Sequence, residues 1–240
     1  MLLSAVEFSL ACSAITLGAI LQASTGLGAG LVVVPLLALI DPGLIPGPVV
    51  FASLGLSGVM AYQGRKHINF VHMDALLIGI VLGSVLGAWL LSRIRIESLG
   101  VFFGVFIITA VAVSLTRLRI RASRQSAFVT GSLSAFMGLS AGVGAPLLAL
   151  FYQYEEGQRL RATLAFIYLI ATVIMLATLN RFAKFGTLEL QLGVQLVPGF
   201  VLGYWLAGRA AAVLDRGYSR AAVLILSLVS ALTLIGRGIA

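Results

Sequence analysis

The sequence predicts an all-α integral membrane fold made of two inverted repeats. Three observations predict it: an extreme apolar composition, hydrophobic runs of bilayer length, and a duplicated pattern of glycine-rich interruptions. Of 240 residues, 60% are hydrophobic and 10% charged, with a mean hydropathy of +1.09. A soluble domain carries about 25% charged residues. So small a polar supply cannot cover a water-facing exterior, and the aliphatic surplus faces lipid.

The formal charge of +8 comes from 16 Lys and Arg against 8 Asp and Glu. In a soluble chain this excess would point to nucleic acid. Here the basic residues sit in short breaks between apolar runs, where they orient membrane loops, so no nucleic-acid partner is expected. Cys12 is the lone cysteine, which excludes an internal disulfide or a cysteine-rich metal site. The start, Met1 to Glu7, lacks the basic first region of a signal peptide. The first hydrophobic run is therefore expected to be retained.

Taken in order, the first half (residues 1–124) opens with an interrupted run. Glu7 to Gln22 is apolar, S-T-G-L-G-A-G follows from Ser24 to Gly30, and a short apolar piece runs from Leu31 to Ile40. Three full-length runs come next: Leu44 to Tyr62, Met73 to Ser92 and Ser98 to Thr116. The second half (residues 125–240) repeats the order. Ser126 to Leu139 leads into S-A-G-V-G-A-P (Ser140 to Pro146) and Leu147 to Tyr152. The runs Leu160 to Asn180, Glu189 to Ala207 and Tyr218 to Gly236 complete it. Crossing about 30 Å of hydrocarbon takes around 20 residues. The pieces flanking each break fall short of that and read as half-helices.

The halves match at a fixed spacing. Ser24, Gly26, Gly28 and Ala29 correspond to Ser140, Gly142, Gly144 and Ala145, each 116 positions later. G-S-V-L-G-A-W-L-L-S-R from Gly83 and G-F-V-L-G-Y-W-L-A-G-R from Gly199 stand at the same offset. Between these blocks the register slips: P-L-L-A-L at Pro35 pairs with Pro146 at an offset of 111, and A-S-L at Ala52 with A-T-L at Ala162 at 110.

Two topologies compete. If each broken element spans, the repeats are parallel; if it re-enters, each half has three crossings and the repeats are inverted. With the basic loop around Arg117, Arg119, Arg121 and Arg124 placed in the cytoplasm, the inverted arrangement puts eleven Lys and Arg inside and five outside. The parallel one divides them nine to seven. The sharper bias selects inverted repeats with both termini outside.

The two breaks carry the candidate site. Glycine permits an unwound backbone, and unwound backbone inside a bilayer survives only in protein or beside a wet cavity. The N–H groups opening Leu31 to Ile40, and those after Pro146, suit an anion. Gln22, Ser24, Thr25, Gly26 and Gly28 from the first break, and Ser140, Gly142 and Gly144 from the second, form the expected substrate site. Ser53 and Thr163 join it from the following runs, and Ser57, Tyr168 and Asn180 lie within reach. The competing reading is close helix packing for the glycines and packing hydrogen bonds for the polar residues. Gly79, Gly83, Gly87, Gly199 and Gly203 recur every four residues, a spacing for close helix contact. Trp89 and Trp205, each followed by an arginine, read as interfacial anchors. Gly26, Gly28 and Gly30 follow an apolar helix instead of a strand, so a dinucleotide fold is excluded.

Every acidic residue falls near the end of a predicted run or in a loop, so coupling through a buried carboxylate is unsupported. His67 and His72 lie in one loop, far from the breaks, and make neither a catalytic nor a metal centre. No cofactor is expected.

With S-T-G-L-G-A-G…P-L-L-A-L and S-A-G-V-G-A-P-L-L-A-L, followed by A-S-L and A-T-L, the chain resembles the sulfite exporter TauE/SafE family over essentially its whole length. The resemblance implies bacterial export of sulfite, sulfoacetate or a related organosulfur anion across the inner membrane. It also implies that Ser24, Gly26, Gly28, Ser140, Gly142 and Gly144 line a central site. The expectation is thus an anion exporter working by alternating access in a lipid bilayer, not an enzyme. A passive anion channel of the same fold and a non-transporting scaffold are the alternatives.

Overall fold

The computed structural model describes residues 3–26, 29–95, 98–116, 120–155, 157–214 and 218–239. These form ten α-helices, five in each half, with no strand among the described residues. The first half holds α1 (Ala5–Thr25), α2 (Gly30–Ile40), α3 (Gly47–Gly64), α4 (Met73–Arg93) and α5 (Leu99–Leu115). The second holds α6 (Arg124–Ala141), α7 (Ala145–Phe151), α8 (Gly157–Arg181), α9 (Thr187–Leu214) and α10 (Tyr218–Ile239). Four of them are long and apolar enough to cross a membrane: α1, α4, α8 and α9 as far as Arg209. Shorter apolar stretches are α2, α5 and the Leu224–Gly236 part of α10. Their outward faces stay apolar, as at Ile78, Val81, Leu82, Val85 and Leu86 on α4 and Val201 and Leu202 on α9. Lipid is the solvent that tolerates such a surface.

The helices preceding the breaks are longer than expected. α1 has 21 residues and α6 has 18, so neither is a half-helix. Apolarity underestimated them because polar residues build their ends. Ser4 and Glu7 form a capping box at the start of α1, and Ser123 and Ser126 form one at the start of α6. Each helix then continues through hydroxyl-bearing residues to a glycine that stops it. Gly26 (φ 78) and Gly142 (φ 71) take the left-handed conformation of a helix C-cap, and their N–H groups bond back to the carbonyls of Gln22 and Gly138.

After each stop the chain folds back along its own helix. Val33 of α2 and Ala29, the residue that caps its start, pack on Gly18 of α1, and Gly144 packs on Ser134 and Gly138 of α6. Both broken elements are therefore helical hairpins.

Glycine contacts give the helix directions. Gly199 and Gly203 of α9 sit on Cys12 and Ile15, then Thr16 and Ala19, so α9 runs with α1. Gly47 meets Glu189 while Phe51 meets Gly193, so α3 runs with α9. Gly79, Gly83 and Gly87 meet Phe128, Ser132 and Phe136 in turn, so α4 runs with α6. A Cβ on Gly79 or Gly83 would overlap the α6 backbone, which bears out the close-packing reading of this spacing. Both α4 and α6 run from a cluster holding Leu76, Ala127 and Leu164 to one holding Leu91, Leu139 and Leu179, the direction of α8. Finally, α3 and α8 are antiparallel, with Gly64 on Ala162 and Gly58 on Leu169. The two hairpins therefore enter the bundle from opposite ends.

Candidate functional site

The hairpin tips meet. A Cβ on Gly30 would overlap the carbonyl oxygen of Gly142, and one on Gly142 would lie 2.5 Å from Val34 Cγ2. The first break thus rests directly on the second. Each turn is closed by one buried side chain. In the first, Gln22 Oε1 accepts the N–H of Ala29 at 3.0 Å; in the second, Ser134 Oγ donates to the carbonyl of Gly144 at 2.8 Å.

Beside the junction lies a cavity of about 120 Å³, room for several waters or one small ion. The hairpins supply Gln22, Ala29, Gly30, Gly138, Gly142 and Gly144 to its wall. Ser53 and Ser57 come from α3, and Tyr168, Thr172 and Met175 from α8. Aliphatic side chains such as Val33, Val49 and Ile80 complete the lining, and among the described residues no charged one lines it. The arrangement suits a guest held by dipoles and neutral hydrogen bonds, with little room for bulk water.

The sequence-predicted residues divide around this cavity. Gln22, Ser53, Gly142 and Gly144 line it. Gly28 lies outside the described residues. Gly26 borders α8 instead, where a Cβ would come within 3.1 Å of Arg161 Cα. Thr25 donates to the Leu21 carbonyl. The hydroxyls of Ser24 and Ser140 are buried next to the turns without lining the cavity, and neither has a partner. Thr163 accepts the N–H of Asn69 at 2.8 Å and is not part of the wall. Asn69 also donates to Glu155 at 2.6 Å, tying residues 65–72 to the start of α8.

Sequence reasoning missed Ser134 and Thr172. A signal for Thr172 was available: Tyr168 and Thr172 on α8, like Ser53 and Ser57 on α3, are polar pairs four residues apart inside apolar runs, and such pairs share one helix face. Ser134 had no comparable signal, because α6 carries many small polar residues.

No curated protein and no solved structure matches the chain. The family model for Sulfite exporter TauE/SafE matches residues 10–234. That span takes in both hairpins and the helices packed around them, and the chain therefore belongs to this family of multi-pass membrane transporters.

Proposed function

We propose that the chain exports a small sulfur oxyanion, sulfite or an organosulfonate, across the bacterial inner membrane by alternating access around the hairpin junction. The observation that carries this reading is the contact of two oppositely entering hairpin tips beside a small uncharged cavity. Broken helices meeting between repeats are where transporters of this type hold their substrates.

The repeats in this reading are inverted, with the second beginning at α6. The antiparallel run of α3 and α8, which occupy equivalent places in the two halves, supports it. A two-fold axis across the bundle makes equivalent helices antiparallel, whereas an axis along the bundle makes them parallel. Both hairpins then re-enter, both termini share one face, and the strongly basic loops share the other. By the excess of positive charge that face is cytoplasmic.

The anionic guest follows from the helix ends. The C-terminal carbonyls of α1 and α6 are capped through Gly26 and Gly142. The N-terminus of α2 faces the cavity through Ala29 and Gly30, and a helix N-terminus carries partial positive charge. Gln22, Ser53 and the second-turn residues Gly142 and Gly144 are its neighbours in the wall. No acidic residue lines the cavity. A membrane potential, negative inside, drives an anion outward by about 2.3 kcal/mol per charge per 100 mV without a protonatable partner.

The test is uptake of radiolabelled sulfite and sulfoacetate into proteoliposomes, with and without an imposed potential or pH gradient. Saturable uptake that responds to the potential is expected. Flux that never saturates identifies a passive channel of the same fold, and absence of flux for both anions overturns the reading.

A further inference from the structure

Hydroxyls in these helices mostly bond to a carbonyl three or four residues back. Ser9, Ser13, Ser53, Ser132 and Thr178 all do so. This partner is always within reach in a helix. Ser57, one turn beyond Ser53 on α3, departs from the pattern. It is 1% exposed, its Oγ has no hydrogen-bond partner, and it borders the cavity. A buried hydroxyl without a partner carries an uncompensated desolvation cost, and such a group in a native fold calls for an explanation. The packing hydrogen bond that would make Ser57 structural is missing.

We propose that Ser57 is a substrate-binding residue whose hydroxyl donates a hydrogen bond to an oxygen of the transported oxyanion. The proposal rests on the transport reading above and deepens it. Rotation about the Cα–Cβ bond swings Oγ between staggered positions without breaking any bond. Ser53 and Ser57 stand on one face of α3, and Tyr168 and Thr172 stand on the antiparallel α8 across the same cavity. A sulfite or sulfonate offers three acceptor oxygens, and a hydroxyl whose proton is not already bonded to the protein can donate to one of them. The Ser57 hydroxyl is an uncommitted donor at that wall.

Ser84 supplies the control. It sits on α4, is 0% exposed, and its hydroxyl is equally without a partner, yet it does not line the cavity. Uptake of sulfite and sulfoacetate is measured for the wild type, Ser57→Ala, Ser57→Thr and Ser84→Ala in proteoliposomes. For Ser57→Ala we expect KM to rise roughly tenfold, the scale of a lost hydrogen bond to a charged group, with maximal rate nearly unchanged. Ser57→Thr restores most of the affinity, and Ser84→Ala keeps the wild-type KM. The melting temperature of Ser57→Ala in detergent equals or exceeds that of the wild type, since no protein hydrogen bond is lost. A wild-type KM in Ser57→Ala, or an equal rise in Ser84→Ala, overturns the assignment while leaving transport intact. A wild type that moves neither anion overturns the transport reading and this assignment together.

Discussion

The two hairpins share a stop signal and differ in the segment beyond it. Each ends its long helix on a left-handed glycine, Gly26 or Gly142, 116 positions apart. Pro35 and Pro146 are equivalent, and each stands five residues before the end of its short helix. Yet α2 begins five residues before its proline and α7 only one. The difference is one helical turn, Gly30 to Val33, present in the first half only. That turn lays Gly30 on Gly142 and Val33 on Gly18, and both residues reach the cavity wall. The long helices differ at one matching position too. Where the first half has Gln22, the second has Gly138, and the methyl of Met175 packs there. The two hairpins form a paired junction; one additional turn and one amide make it one-sided. The expected positive helix end after Pro146 is correspondingly weak, because α7 has only seven residues.

That contrast can be broken by substitution. The largest effect is expected from Gly30→Leu, which drives a side chain into the Gly142 backbone. Overpacking of this kind costs about 3 kcal/mol, and a loss of transport of at least tenfold with poor recovery of folded protein is expected. Gly55→Ala, where nothing lies within 4 Å of the added carbon, leaves both unchanged. If Gly30→Leu transports normally, the tips are not in contact during the cycle.

Next comes Gln22→Ala. It strands the buried Ala29 N–H at a cost of about 1–3 kcal/mol, measurable as a lower melting temperature in detergent. Gly26→Ala and Gly142→Ala should each cost about 1–2 kcal/mol for the left-handed conformation alone, and Gly142→Ala more, because its Cβ would also lie 2.5 Å from Val34 Cγ2. A loss of at least that size in both would show that the stop signal is shared. The smallest effect belongs to Ser134→Ala, about 1 kcal/mol, because the carbonyl it leaves has a second lone pair for water. A larger loss for Ser134→Ala than for Gln22→Ala would reverse the asymmetry argued here.

Much of this could be read from the residues. The apolar runs located the helices within a few residues, apart from α9, which runs seven residues past Ala207, and the six-residue slip in register between the halves has a clear origin. One residue is lost from the turn, four from the short helix and one from the linker after it. The predicted close contacts at Gly79, Gly83 and Gly87 are present because nothing larger fits between α4 and α6. The site was legible only in part. Ser53 and Thr163 stand in matching motifs of the two halves, 110 positions apart. One lines the cavity and the other bonds to Asn69. Similar residues at matching positions took different partners because the loop before α4 reaches over one of them.

By itself the sequence determined that the chain lives in lipid, that its two halves carry matching motifs, and where each helix breaks. These depend on composition, on the length of apolar runs and on the backbone freedom of glycine, all local properties. Tertiary structure alone decided that the breaks fold back into hairpins and that Gly30 meets Gly142. It also decided that Ser57, not Thr163, is left with an unspent hydroxyl beside the cavity. Partners far apart in the chain settle such questions, and spacing along the chain carries no information about which of them will come within bonding distance.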